Sequence, residues 1–210
     1  MVKRIVNISR PSVEQVECYL KRWKESKELN DYREQEVAID ILFHGEFKSN
    51  NDLQNILIKC SVLNDFYSTN IFKIFPVAKH ILELNIDERL NKADPSLVND
   101  IALVHIDNKT LNFYSFASKY CSHHYKDEYP IYDSYICKIL KHFRDVDHFD
   151  SFKESDLKIY SRFKEIIIRF RERYKLTKYT FKQLDMYLWQ LGKEYFNKYK
   201  KLMEIKYERI

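Results

Sequence analysis

The apolar positions recur along nearly the whole chain at helical spacing. Pro11 and Ser12 open a first helix of roughly four turns, with Val13, Val16, Tyr19, Leu20 and Trp23 on one side. Asp31 caps a second, carrying Val37, Ile41 and Leu42 towards His44 and Gly45. The polar run Ser49-Asn50-Asn51-Asp52 reads as a loop and N-cap ahead of Leu53, Ile56, Leu57, Cys60 and Leu63, a buried stripe. Ser68 or Thr69 caps a short helix ending before Pro76, and Pro76 opens the next, through Val77, Ile81 and Leu84. Asp94-Pro95 precedes Leu97, Val98, Ile101 and Ala102, and a polar turn covers Asp107 to Thr110. Helical periodicity returns from Phe113 to His124, Ile131 to Phe143, Ser155 to Tyr174 and Tyr179 to Tyr207. The expectation is a single all-α domain over 1–210, without internal repeats or a flexible linker.

Composition sharpens this picture mainly through glycine. Two glycines stand in 210 residues, Gly45 and Gly192, where about 7% is usual. Walker loops, dinucleotide fingerprints and nucleophile elbows need clustered glycines, so they are excluded. A β-rich fold is disfavoured for the same reason. Hydrophobic residues make up 45% and aromatics 15%, enough for a substantial core. The opening Met-Val-Lys-Arg carries no apolar signal region, and no apolar stretch is long enough to span a bilayer. Cys18, Cys60, Cys121 and Cys137 form no C-x-x-C pair. A cytoplasmic protein with reduced thiols is expected, without a membrane partner.

Net charge is only +5, but it is unevenly spread. Eight basic residues between Arg162 and Lys182 face only Glu165 and Glu172. Within that stripe Arg169, Arg171, Arg173, Lys175 and Lys178 are candidates for a nucleic-acid backbone. A solvated helix face is the plainer reading of the same charges.

One pair of positions carries candidate chemistry. Lys119 is flanked on its helix by Ser115, Ser118 and Ser122, without the charged partners usual on a solvated face. Asp133 falls in the first turn of the following helix, where free backbone N–H groups favour a carboxylate. A short turn between the two helices could bring them together. Cys121 and His124, at i and i+3, lie on an apolar stripe, and adjacent histidines diverge by about 100° on a helix. A buried Cys121 and a hydrogen-bonded His124 therefore explain this pair better than a metal site does. No metal or other cofactor is expected.

The stretch Phe116-Ala117-Ser118-Lys119-Tyr120, followed by Tyr129-Pro130-Ile131-Tyr132-Asp133-Ser134-Tyr135-Ile136, resembles bacterial proteins of the 8-oxoguanine DNA glycosylase fold. These belong to the helix-hairpin-helix glycosylase superfamily. Leu63 to Asn70 and Tyr187 to Glu194 are similar to further segments of those proteins, so the resemblance runs from about residue 30 to 200. It implies a two-lobed helical fold with a cleft and DNA carrying a damaged or modified base as the partner. It also implies a monomeric glycosylase with lyase activity, in which Lys119 matches the Schiff-base lysine and Asp133 the aspartate. Phe66, Tyr67, Tyr132 and Trp189 are candidates to stack on a flipped base, with Trp189 foremost. The family's Gly-x-Gly hairpin is missing, since no glycine stands between Gly45 and Gly192. A DNA-binding module of the same fold without catalysis is the alternative, and a base-modifying enzyme on the same scaffold is a third reading.

Overall fold

Side-chain caps start several of the helices. Ser12 Oγ accepts from the Gln15 amide at the head of α1 (Val13–Glu25). Asp52 accepts from Asn55 at α3 (Leu53–Phe66), and Thr180 forms a capping box with Gln183 at α10 (Phe181–Phe196). Between them lie α2 (Asn30–His44), α4 (Ile74–Leu84), α5 (Asp87–Asn91), α6 (Ser96–Ala102), α7 (Tyr114–His124), α8 (Ser134–Asp147) and α9 (Tyr160–Arg173). Short 3₁₀ turns at Lys27–Leu29 and Glu154–Lys158 lead into α2 and α9. This computed structural model describes residues 8–197, and within them the protein is dominated by helix.

Several expectations need correction. A β-hairpin of β1 (Leu103–Ile106) and β2 (Lys109–Asn112) replaces the expected plain turn. Its two-residue turn places Asp107 at φ 48° and Asn108 at φ 62°, so Asp and Asn supply the left-handed geometry that glycine usually provides. No helix starts at Ser68 or Thr69. Ser68 and Asn70 are left-handed, and the Asn64 side chain clamps the loop by bonding Thr69 Oγ1 and the Ile71 backbone. Consequently α4 begins at Ile74 and Pro76 lies in its first turn. On α2 the inward face carries Ile39 and Phe43, leaving Val37 and Ile41 exposed. The helix expected from Ile131 begins at Ser134, with Asp133 as its N-cap. The last helix closes at Phe196, and residues 198–207 of its expected span lie outside the described residues.

One continuous core links these elements, with α7 at its centre. Every residue of α7 except Ser115 is buried. Its apolar stripe meets α2, α3 and α6, while α10 packs on α1 and α8. The serine-lined side is covered as well, because the residues between α7 and α8 fold back over it. Tyr132 N donates to Ser118 Oγ at 3.1 Å, and Ser115 Oγ donates to Tyr132 O at 3.3 Å. At Gly192 the α10 backbone comes so close to α8 that a Cβ would stand 2.6 Å from Tyr135 Cβ and 2.8 Å from its carbonyl oxygen. That approach holds the start of α8, with Asp133, against α10.

Candidate functional site

Helices α1, α2, α3, α7 and α10 and the α7–α8 connection surround a cavity of about 260 Å³. Trp23 enters from α1, Tyr32, Gln35, Glu36 and Ile39 from α2, and Phe66, Tyr67 and Ser68 from the end of α3. Lys119 comes from α7, Ile131 and Asp133 from the α7–α8 connection, and Asp185, Met186 and Trp189 from α10. The structure thus brings Lys119, Asp133, Phe66, Tyr67 and Trp189 to one cavity.

Lys119 is only 4% exposed. Its Nζ donates to Ser115 Oγ at 2.6 Å and to the carbonyl oxygens of Ser115 and Tyr132 at 3.4 Å each. It also sits 5.2 Å from the centre of the Tyr67 ring. All these partners are neutral. Burial pulls the ammonium's pKa below its ordinary value, and the charges of Asp133 and Asp185 oppose that shift. Asp133 Oδ1 accepts from the Tyr135 amide at 2.7 Å, as an N-cap should. Asp133 therefore acts on the lysine through its charge across the cavity, without a direct ion pair.

Neighbouring groups brace the aromatic walls. Trp189 meets Tyr32 and Trp23 edge to face, with centroids 5.0 and 6.1 Å away. Lys193 Nζ stands 4.7 Å from both the Trp189 and Tyr32 ring centres. Tyr67 is fixed from behind by a 2.8 Å hydrogen bond between its hydroxyl and His123 Nε2. Burial first, and the neighbouring Lys182 and Lys126 charges second, hold His123 well below the usual imidazole pKa, so it is neutral. Tyr132 does not join this wall. Its ring turns away, edge-on to Tyr114 at 4.7 Å and Phe163 at 5.6 Å, with Lys158 Nζ 4.3 Å from its centre. Only its carbonyl faces Lys119, because the extended backbone before the α8 cap sends alternate groups to opposite sides.

Asp185 and Glu36 are absent from the sequence reading. Asp185 precedes Trp189 by one helical turn, so the i, i+4 relation to that tryptophan was the available signal. Burial pushes its carboxyl pKa up to about 7, with Glu36 and Asp133 adding to the shift and Lys182 and Lys119 opposing it. Glu36 is paired with Lys182.

The basic stripe does not border the cavity. Arg169 pairs with Asp150, Lys178 with Glu17, and Arg171 donates to Thr177 O. Arg173 lies in the last turn of α9 near Asp147, and Lys175 follows in a left-handed conformation. Of the eight cations, Lys182 comes nearest, through Glu36.

A second buried lysine serves a different purpose. Lys59 is fully buried, donating to Ser49 O at 2.9 Å and Asn50 Oδ1 at 2.7 Å. Asn50 also bonds Asp87, Tyr120 and His124, so this network fastens the 45–52 loop to α5 and α7. Burial lowers the Lys59 pKa to about 8, and it stands apart from the Lys119 cavity. Among the described residues no group of three His, Cys, Asp or Glu side chains could hold a metal ion. No helix among them is long and apolar enough to cross a membrane.

Residues 15–128, which include Lys119, match the family HI_0787_N, described as an N-terminal domain. An uncharacterized protein of Haemophilus influenzae is 47% identical over 149 residues, 70% of this chain and 71% of that protein. The chain belongs to this family. No solved structure matches it. The family match ends before Asp133, Asp185 and Trp189, so the far wall of the cavity is supplied by the part of the chain beyond it.

Proposed function

We propose that the protein is a DNA glycosylase with lyase activity of the helix-hairpin-helix type, acting on an oxidised or modified base. The observation that carries this reading is the Lys119 amine. It lies buried on the wall of an aromatic cavity that Asp133 also lines, with neutral hydrogen-bond partners and a pKa lowered by burial. Such an amine is a nucleophile at C1′ of a flipped nucleotide. Trp189, Phe66 and Tyr67 would hold the planar base. The Asp133 carboxylate would stabilise positive charge developing on the sugar. The cavity is at the small end for ligand sites, which suits a single base better than a whole nucleotide.

Backbone contacts would come from Arg169, Arg171, Arg173, Lys175 and Lys178, with Arg169 and Lys178 exchanging their carboxylate partners for phosphates. The test is release of free base and strand nicking on a duplex holding 8-oxoguanine opposite cytosine. Wild-type turnover that disappears in Lys119→Gln supports the reading. Base release that survives in Lys119→Gln removes Lys119 from the chemistry.

The second reading is a module of this fold that recognises modified DNA without turnover. It is favoured by the three oxygen acceptors around Lys119 Nζ, which suit a resting ammonium. Duplex binding that prefers the lesion, with no base release, would establish it.

A further inference from the structure

Three carboxylates line the cavity, and their hydrogen bonding separates them. Asp133 is committed to the Tyr135 amide at the α8 cap, and Glu36 to Lys182. Asp185 shares the cavity with Lys119, and no described residue hydrogen-bonds its carboxyl group. From this placement we propose that Asp185 is the proton-transferring acid of the site, delivering its proton to the oxygen that leaves when Lys119 forms a Schiff base. The inference rests on the glycosylase–lyase reading and adds a residue to it.

The step balances on an abasic deoxyribose. The Lys119 amine adds to the C1′ aldehyde, the Nζ–C1′ bond forms, and a proton passes from nitrogen to the former carbonyl oxygen. In the resulting carbinolamine the nitrogen lone pair closes the C=N bond while the C–O bond breaks. The departing hydroxyl takes the Asp185 proton and leaves as water. Asp185 remains as a carboxylate beside the iminium, with opposite charge. Asp185 is part-buried on the cavity wall, and the desolvation there, which pushes its carboxyl up to about 7, suits a proton donor. The groups that face it bear on its titration from each side. Lys182 on its own helix and Lys119 on α7 favour the carboxylate, while Glu36 on α2 and Asp133 before α8 favour the acid.

The experiment is the rate of borohydride-trappable adduct on an abasic-site duplex, measured across pH for wild type, Asp185→Asn, Asp185→Glu and Lys119→Gln. The wild-type profile should bend downward near pH 7. Asp185→Asn should lose that bend and about a hundredfold in rate, the scale of general acid catalysis. Asp185→Glu should recover most of the rate with the bend displaced. Far-ultraviolet circular dichroism and lesion binding equal to wild type separate this from misfolding. An Asp185→Asn profile that keeps the wild-type bend overturns the role of Asp185 while leaving Lys119 in place. Wild-type protein that traps nothing overturns both the lyase reading and this inference.

Discussion

Replacing Lys59 by methionine removes a buried ammonium from a site that has no reacting group. With a folded pKa near 8 and an ordinary value of 10.5, Lys59 binds fewer protons in the folded chain than in the unfolded one between those limits. Its contribution to stability is therefore present above pH 10.5 and lost as pH falls through 8. The shift of 2.5 pH units corresponds to about 3 kcal/mol at most. Over the accessible span from about pH 7 to about pH 9.5 the linkage amounts to about 2 kcal/mol. Burial holds the other core cysteines and tyrosines protonated in the folded chain, and they are common to both proteins; only Cys60, which couples to Lys59 directly, departs from that cancellation. Urea melts of wild type and Lys59→Met at the two pH values give the readout. The stability of wild type relative to Lys59→Met should rise by about 2 kcal/mol from the lower to the higher pH. A difference that stays flat, or falls, refutes the assignment of a desolvated ammonium to Lys59.

Three further outcomes follow from named contacts. Gly192→Ala places a Cβ 2.6 Å from Tyr135 Cβ, so thermal and urea unfolding should report a loss of about 2 kcal/mol despite alanine's better helix propensity; unchanged stability contradicts the close α8–α10 approach. Asp133→Ala removes the α8 cap, which should lower stability by about 1 kcal/mol in urea melts and slow base release far more than that loss explains; normal turnover excludes Asp133 from the chemistry. Trp189→Ala should weaken lesion-duplex binding by about 1–3 kcal/mol in a fluorescence titration while leaving undamaged duplex alone; equal losses on both duplexes would mean that Trp189 does not read the base.

Helical periodicity and caps carried most of the element order, because Ser12, Asp52 and Asp94-Pro95 act locally and their signals sit beside the residues they organise. The departures arose where local signals gave way to longer contacts. Asp107-Asn108 supplies a hairpin turn without glycine, and Asn64 reaches across to Thr69 and Ile71 to hold a loop that reads locally as a helix start. That Lys119 and Asp133 reach one cavity is legible in the sequence because both flank one short connection. Asp185 was harder to see, since its significance depends on α10 packing against α8 at Gly192, far away in the chain. Tyr132 was misplaced because the extended backbone before α8 turns its ring outward, a detail that spacing alone does not encode. Lys59 occupies the buried face with Ile56, Cys60 and Leu63, and its charge is accommodated only by a loop that the helix itself does not reveal.

On the proposed chemistry, the Lys119 amine is the nucleophile of this cavity. The most direct measurement is mass spectrometry of the borohydride-reduced adduct formed with an abasic-site duplex, with peptide mapping of the linked residue. A single deoxyribose remnant on Lys119, absent in Lys119→Gln under identical treatment, is the expected result. An adduct carried by Lys182, Lys193 or another lysine, or wild-type protein that binds the duplex and forms none, would contradict it.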